Sequence, residues 1–300
     1  MRVLALILLI FAPIWARADP LVDQPYTIGF QDRFITQVMI NGQGPFAFVI
    51  DTGSSRTVLY EHTRARLGLT PVSHEKITVY TLAGMTTAEP YLLTEFALSA
   101  ERIRNLTAVV VPDPKRAGDE PDGVLGIDVL EKYLLVFDRP AGRFKLFARG
   151  EPVPEPYNSW RAIHIAPRRL PEISVDFWFF TAYFEQKIST AVLDLGAGLT
   201  IINWRLAHDL RIWRYRFPSS SDEMRDVVGG RSPVVRLQGV TVDVRGRRWR
   251  SQTVLIADAR LFDLLGMSGK AASVIGAGLL ARDSFAVDFE GRRLLLAPPG

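Results

Sequence analysis

AFVIDTGSS, residues 47–55, is the stretch around which the rest of the chain is organised. Four apolar residues lead into Asp51 and Gly53, and aspartate and glycine are residue types that favour tight turns. The pattern therefore predicts a buried strand that ends in a sharp turn carrying an aspartate. AVLDLGAG, residues 191–198, has the same form around Asp194.

The similarity between these two stretches continues along the chain and indicates an internal repeat. In both copies a threonine stands six residues after the aspartate and a leucine sixteen residues after it. A short apolar stretch ending in glycine follows, and another aspartate stands twelve residues beyond that glycine. The matched pairs are Thr57 and Thr200, Leu67 and Leu210, residues 123–126 and 273–276, and Asp138 and Asp288. Shared features in the same order predict a duplicated unit.

Each unit is rich in predicted strands. Residues 34–40 and 46–50 flank Asn41-Gly42, a strong hairpin signal. Helices are predicted to be short and few. They cover residues 60–67, 204–210 after an N-cap at Asn203, and 259–265.

Length and proline content predict the domain limits. The chain has 300 residues, enough for two domains, and residues 151–156 contain three prolines and predict a linker. The predicted organisation is a signal peptide at 1–18, a first lobe at 19–150, the linker, and a second lobe at 157–300.

The first 18 residues have the features of a secretory signal peptide. Arg2 precedes an apolar run at residues 3–15, and Ala16 and Ala18 fit a small-x-small cleavage site. We expect cleavage after Ala18, a secreted or periplasmic protein, and no stable membrane insertion afterwards. An uncleaved membrane anchor is the alternative interpretation.

Composition excludes several kinds of site. There is no cysteine, which excludes a disulfide scaffold, a cysteine-ligated zinc site and a thiol nucleophile. No two of the four histidines have the i, i+4 spacing of a zinc-binding helix. Arginines cluster at residues 245–250, but they alternate with other residues in a strand-like region. This cluster predicts a solvated hairpin, and we expect no nucleic-acid partner.

The repeated motif resembles that of the pepsin-like and retropepsin-like aspartic proteases. Residues 49–55 and 124–126 carry it in the first unit, and residues 193–197 and 274–276 carry it in the second. The resemblance implies an all-β, bilobal acid-protease fold. Two pseudo-twofold-related, β-barrel-like lobes with few short helices would each present one aspartate to a cleft between them.

The resemblance also implies a catalytic pair, Asp51 and Asp194, with no metal or cofactor. Two carboxylates that lie a few ångströms apart share one proton, so that one can activate water while the other protonates the peptide carbonyl. The residues expected to support the pair are Thr52, Gly53, Ser54, Gly196 and Ala197. We expect Asp51 to be the more readily ionised member, because the Ser54 hydroxyl can bond its outer oxygen whereas Ala197 offers Asp194 no hydroxyl.

The second motif departs from the family at Leu195, where a threonine is usual. Leu195 has no hydroxyl to help hold the two turns together, at a net cost of about 0.5–1.5 kcal/mol for one hydrogen bond. The family also has a hairpin flap over the substrate. Residues 80–86, with Tyr80 and Gly84, are the candidate in the first lobe, and Gly229 and Gly230 in the second. A plain β-turn is the alternative for each.

Three functional hypotheses remain open. The first is a monomeric aspartic endopeptidase that cleaves a peptide or protein substrate between apolar side chains. The second is a non-catalytic relative that binds peptide or protein in the same cleft, an interpretation suggested by Leu195. The third is a dimer in which Asp51 pairs with Asp51 of another copy.

Overall fold

The computed structural model describes residues 19–29, 32–81, 84–113, 120–169, 176–214, 222–225, 231–258 and 260–299. The predicted signal peptide and the predicted flap glycines Gly229 and Gly230 lie outside these residues. The strands before the predicted linker are β1 (Val22–Ile28), β2 (Phe34–Ile40), β3 (Gln43–Ile50), β4 (Val58–Tyr60), β5 (Ile77–Thr81), β6 (Gly84–Ala88), β7 (Pro90–Leu98), β8 (Glu101–Val111), β9 (Gly123–Leu125), β10 (Tyr133–Asp138) and β11 (Arg143–Ala148).

The strands after the predicted linker repeat much of this order. They are β12 (Arg161–His164), β13 (Ala166–Arg169), β14 (Asp176–Phe184), β15 (Lys187–Asp194), β16 (Thr200–Ile202), β17 (Asp222–Arg225), β18 (Arg231–Val244), β19 (Arg247–Ile256), β20 (Ala272–Gly276), β21 (Phe285–Asp288) and β22 (Arg293–Leu296). The helices are α1 (Glu61–Leu67), α2 (Ile127–Leu130), α3 (Trp204–Asp209), α4 (Arg260–Leu264) and α5 (Ala277–Leu280). The prediction of an all-β fold with few short helices is confirmed.

Six strands of each half close into a ring. The first ring runs β2-β3-β9-β4-β8-β7 and closes where β7 pairs with β2. The second ring runs β14-β15-β20-β16-β19-β18 and closes where β18 pairs with β14. Corresponding pairs also share their direction, since β3–β9 and β15–β20 are both parallel. The sequence repeat is therefore also a repeat of topology.

Strands from both halves form one sheet beside the first ring. Its order is β12-β22-β21-β10-β11-β1, and β1 also pairs with β2 of the ring. The junction is the antiparallel pair β10–β21, which aligns Leu134 with Asp288 and Phe137 with Phe285. The end of the chain is thus hydrogen-bonded to its first half. The predicted domain limits stay a prediction.

Aromatic side chains fill the core at this junction. The ring centroid of Phe137 lies 4.5 Å from that of Phe285 and 4.6 Å from that of Phe34, and all three side chains are fully buried. Burying rings of this size removes a large apolar area from water and is the main favourable contribution to folding here. The two halves therefore share a hydrophobic core.

The first hairpin and the start of α3 form where they were predicted. The hairpin at Asn41-Gly42 is confirmed, with φ angles of 50° and 75° that suit its two-residue turn. Helix α3 begins as predicted after Asn203, whose side chain accepts a hydrogen bond from the Leu206 amide at 2.9 Å. Helices α2 and α5, of four residues each, were not predicted, because their short apolar sequences have no helical periodicity.

The basic stretch at residues 245–250 forms the predicted hairpin. It joins β18 to β19, and Arg245 and Gly246 form its tip with positive φ angles. Arg248 pairs with Asp243 across the hairpin at 2.8 Å. Among the described residues, no helix combines the length and the apolar character that crossing a membrane requires.

Candidate active site

Asp51 and Asp194 occupy equivalent positions in the two rings. Asp51 follows the last residue of β3, and its amide donates to the carbonyl of Leu125 at 3.0 Å. Asp194 is the last residue of β15 and pairs in register with Gly276 of β20. Each aspartate therefore stands where a central strand turns, held by a parallel neighbour whose sequence is the second part of the motif.

The two turns interlock at their glycines. A Cβ atom built on Gly53 would overlap the carboxylate of Asp194, and one built on Gly196 would overlap the carboxylate of Asp51. Any side chain at either position would push the opposite carboxylate away. The repeated Asp-x-Gly pattern thus has a tertiary reason, because each glycine makes room for the aspartate of the other half.

Both carboxylates are buried and hydrogen-bonded. Asp51 is 4% exposed and Asp194 is 3% exposed, and the two side chains share a hydrogen bond. Oδ1 of Asp51 accepts from the Gly53 amide at 2.7 Å. Oδ1 of Asp194 accepts from the amides of Gly196 at 2.9 Å and Ala197 at 3.0 Å. The backbone of each turn therefore donates to its own aspartate.

Burial and proximity raise the pKa of both aspartates, and raise that of Asp194 more. Burial raises the pKa of Asp51, while the amide of Gly53, the hydrogen bond with Asp194 and the charge of Arg33 oppose that rise. Burial, the negative charge of Asp51 and the shared hydrogen bond raise the pKa of Asp194 well above its usual range. Two buried carboxylates in contact do not both ionise readily, and the higher pKa of Asp194 makes it the more readily protonated member of the pair.

The side chain of Thr52 links the two turns, and the side chain of Leu195 does not. The Thr52 hydroxyl donates to the carbonyl of Leu193 at 3.0 Å and accepts from the amide of Leu195 at 3.1 Å. Leu195 is fully buried in the core. The first turn therefore bonds to the second through the Thr52 hydroxyl. The second turn has no matching hydroxyl, and its leucine packs in the core instead.

Ser54 does not have the expected partner. Its hydroxyl donates to the carbonyl of Arg56 at 2.8 Å, so the prediction that this hydroxyl bonds Asp51 is wrong. The backbone amide of Ser54 interacts with Asp51 instead. The hydroxyl turns away because a nearby carbonyl of the same tight turn is available to it, as is common for serine in turns. Ala197 supplies its amide to Asp194 without needing a hydroxyl.

Loops pass closely behind both turns. The amide of Ile127 donates to the carbonyl of Ser54 at 2.9 Å, and the amide of Ala277 donates to the carbonyl of Ala197 at 2.7 Å. A Cβ atom on Gly276 would lie 2.6 Å from the Ala197 carbonyl oxygen. Gly126 and Gly276, which end the second part of each motif, therefore permit this close approach because neither has a side chain.

Behind the first turn lies a buried polar contact that sequence reasoning did not assign. The Thr57 hydroxyl donates to Oδ1 of Asp128 at 2.9 Å, and the amide of Gly126 donates to the Thr57 hydroxyl at 3.3 Å. Burial raises the pKa of Asp128, against the opposing effect of Thr57. The second turn keeps the threonine, Thr200, but has Gly278 at the position that matches Asp128.

Both candidate flaps begin as β-hairpins. In the first, β5 pairs with β6 so that Tyr80 is aligned with Met85 and Thr81 with Gly84. In the second, β17 pairs with the start of β18. The tips at residues 82–83 and 226–230, which include Gly229 and Gly230, lie outside the described residues. The part of the chain described contains no cluster of three or more potential metal ligands.

Comparisons with known proteins agree with this geometry. Residues 36–129 match the sequence model of a family described as aspartyl protease. The aspartic proteinase from Irpex lacteus has a similar fold, with a TM-score of 0.57 and 15% sequence identity over 93% of this chain and 97% of that one. No curated protein has a significantly similar sequence. The chain thus has the fold of the aspartic proteinases and carries, at residues 36–129, the sequence pattern of an aspartic protease family.

Proposed function

We propose that this protein is an aspartic endopeptidase that hydrolyses peptide bonds with Asp51 and Asp194. The family match and the fold support a protease in general. The observation that carries the proposal is the meeting of two buried carboxylates, each seated on the turn glycine of the other half. Such a pair can hold a single shared proton, which is the state that this hydrolysis needs.

The proposed reaction follows from the unequal protonation of the pair. The ionised carboxylate of Asp51 removes a proton from a bound water, and that water attacks the peptide carbonyl carbon. The proton on Asp194 passes to the carbonyl oxygen as the tetrahedral intermediate forms. Asp51 then gives its proton to the amide nitrogen, and Asp194 takes a proton from a hydroxyl of the intermediate as the carbon–nitrogen bond breaks. The pair thereby regains its single proton.

Leu195 favours a second candidate function, a cleft that binds peptides without cleaving them. With leucine at this position, the second turn cannot return the hydrogen bond that Thr52 gives to it. The remaining link and the amide donors at both aspartates support catalysis over this alternative. Both candidates predict a peptide or protein partner.

We further propose that the mature protein begins at Asp19 and acts as a monomer outside the cytoplasm. The cleavage pattern at residues 16–18 supports export. Two Asp-x-Gly motifs within one chain support an active site that needs no second copy.

The test is hydrolysis of a mixed peptide library by the exported protein, whose N-terminal residue is determined first. Asp51→Asn and Asp194→Asn should each lower kcat/KM by about 10²–10⁴-fold, because each removes one proton-transfer group. Activity should fall below the lower apparent pKa, where both carboxyls are protonated. It should also fall above the upper one, where both are ionised.

Three outcomes would contradict parts of this proposal. Loss of activity in Asp51→Asn alone would indicate a dimeric site built from two copies of Asp51. A folded wild-type protein that cleaves no peptide at any pH would favour the binding function. An N terminus other than Asp19 would contradict the predicted cleavage.

A further inference from the structure

The basic hairpin at residues 245–250 borders an open cavity of about 480 Å³. The hairpin joins β18 to β19 of the second ring, and the rest of the wall comes from the start of β12 and the segment after β22. Strands β12 and β22 pair at the edge of the sheet that both halves form, with Arg161 aligned to Leu296. The cavity therefore lies between this sheet and the second ring. None of the described residues that line it belongs to either aspartate turn.

Three arginines line this cavity, namely Arg161, Arg247 and Arg248. Arg161 and Arg248 are exposed, and the side chain of Arg247 is 21% exposed. A dissolved molecule can therefore reach them. No acidic side chain is among the described residues that form the wall. Cationic side chains gathered in a concave site raise the local concentration of anions.

Two of the three guanidinium groups are held in place by aspartates outside the wall. Nε of Arg248 donates to Oδ2 of Asp243 at 2.8 Å. Nη2 of Arg247 donates to Oδ1 of Asp283, a buried carboxylate that also accepts from the indole of Trp249 at 2.7 Å. Each bond occupies one nitrogen and fixes the direction of the group. Binding an anion here then costs less side-chain freedom than binding it between mobile arginines.

Arg161 is the charge in the cavity that has no carboxylate of its own. Its Nη1 donates to the neutral carbonyl of Arg245 at 2.8 Å, and Arg161 forms no ion pair with any residue that the structure describes. Because Arg247 and Arg248 are each balanced by an aspartate, the three arginines together carry one uncompensated positive charge. A ligand with a single negative charge would balance it.

The segment after β22 gives the same cavity an apolar wall. The amide of Ala297 donates to the carbonyl of Ser284 at 3.0 Å, which holds the start of this segment. Pro298 and Pro299 follow, and both are exposed and line the cavity. Proline has no backbone N–H to offer, so these rings favour a hydrocarbon surface over a polar one. The cavity thus presents guanidinium groups and apolar rings to the same ligand.

We infer that this cavity binds an apolar carboxylic acid, with its carboxylate at Arg161 and Arg248 and its hydrocarbon part against Pro298 and Pro299. The planar guanidinium matches a carboxylate with parallel N–H donors, and such charge-assisted bonds are stronger than neutral ones. The volume of the cavity is typical of sites for small molecules. Two sources share this chemistry, a fatty acid and the free C terminus of a peptide that ends in an apolar residue.

The test is calorimetric titration of the full chain with two acids of eight carbons each, octanoate and N-acetyl-leucine. Neither contains a bond between two amino acids, so the result does not depend on proteolysis. Each acid should bind at least about 10-fold more tightly than its uncharged amide. The more tightly bound acid should in turn exceed acetate by about 10-fold, because acetate lacks the apolar part. Tighter octanoate indicates a fatty acid, and tighter N-acetyl-leucine indicates a peptide terminus.

Variants of Arg161 assign the binding to this cavity. Arg161→Met should weaken binding of the preferred acid by at least about 10-fold and leave binding of its amide unchanged. The fold should persist, because the exposed Arg161 side chain holds only one carbonyl. Arg161→Lys keeps the charge without the planar group and should lose less affinity. Arg102→Met is the matched control, since Arg102 is a half-exposed arginine on β8 of the first ring, and it should bind as the wild type does.

Several results would overturn the inference. One is equal affinity for acid and amide, and another is an Arg161→Met variant that binds the acid as tightly as the wild type. A third is inorganic phosphate or acetate binding as tightly as the preferred acid, which would indicate a site for anions in general. A fourth is loss of acid binding in Asp194→Asn, because the ligand would then lie at the proposed active site.

Discussion

At the residue scale, only one of the two motifs supplies a threonine hydroxyl to link the two turns, and that residue is Thr52. Thr52 satisfies a carbonyl and an amide of the opposite turn, on residues 141 and 143 positions away. Leu195, in the matching position, is buried among apolar side chains. The residue between the aspartate and the glycine therefore has a different role in each motif. Thr52 makes a polar link between the turns, whereas Leu195 packs in the hydrophobic core.

Thr52→Val should test this asymmetry. Valine has nearly the shape of threonine but cannot bond, so the Leu193 carbonyl and the Leu195 amide are left unpaired in a buried site. We expect the free energy of unfolding to fall by about 2–4 kcal/mol, measured by urea denaturation. Thr181→Val on the exposed face of β14 is the control and should change stability by less than about 0.5 kcal/mol. Equal effects of the two variants would show that the Thr52 bonds contribute little.

At the element scale, His62 ties the start of α1 to the segments on either side of residues 114–119. Its Nδ1 lies 2.7 Å from Oδ1 of Asp113, and its Nε2 lies 3.3 Å from Oδ1 of Asp122. Partial burial lowers the pKa of His62, but the hydrogen bonds and charges of the two aspartates outweigh this and raise it. Protonation of the imidazole therefore strengthens the contacts between α1 and these two segments.

The pH dependence of stability follows from the sign of this shift. Because the pKa of His62 is higher in the folded chain than in the unfolded one, its stabilisation is complete below about pH 6.5. It is lost as the pH rises through the folded-state pKa. His62→Gln should therefore be less stable than wild type at low pH and nearly equal to it at high pH, by chemical denaturation.

Two further variants check the assignment of this effect to His62. Asp113→Asn should reproduce it, because the same ion pair is lost. His74→Gln, at a side chain that is 88% exposed, should not. A difference between His62→Gln and wild type that stays constant with pH would contradict the ionic origin.

At the scale of the whole molecule, the shared sheet and its aromatic core make the two halves depend on each other. Strands β10 and β21 pair across the junction, and Phe137 stacks on Phe285 there. The aspartates meet only if the two rings are held in one relative position. The junction therefore supports the site although it takes no part in the chemistry.

Phe285→Ala should reveal this coupling. Removing the ring should cost about 3–5 kcal/mol, because the stack and the packing against Phe34 are lost. Phe177→Ala, in a cluster confined to the second half, should cost a similar amount. We expect the Phe285 variant alone to show separate unfolding transitions when far-UV circular dichroism and tryptophan fluorescence are compared. A single coincident transition in both variants would contradict the coupling.

What the sequence by itself determined is local. An apolar run followed by Asp-x-Gly specifies a buried strand and a tight turn, and the second copy at Asp194 indicates a repeated unit. Asn41-Gly42 specifies a hairpin, and Asn203 specifies the start of α3. These predictions hold because each depends on the conformational preferences of a few neighbouring residues.

What only the tertiary structure decided depends on contacts between distant residues. Gly53 lies against Asp194, and Phe137 stacks on Phe285. The hydroxyl of Ser54 found a carbonyl in its own turn, a choice that its sequence neighbours left open. Such contacts arise only when both rings close and pack together. The residues that meet there are far apart along the chain, so the conformational preferences of sequence neighbours do not specify these contacts.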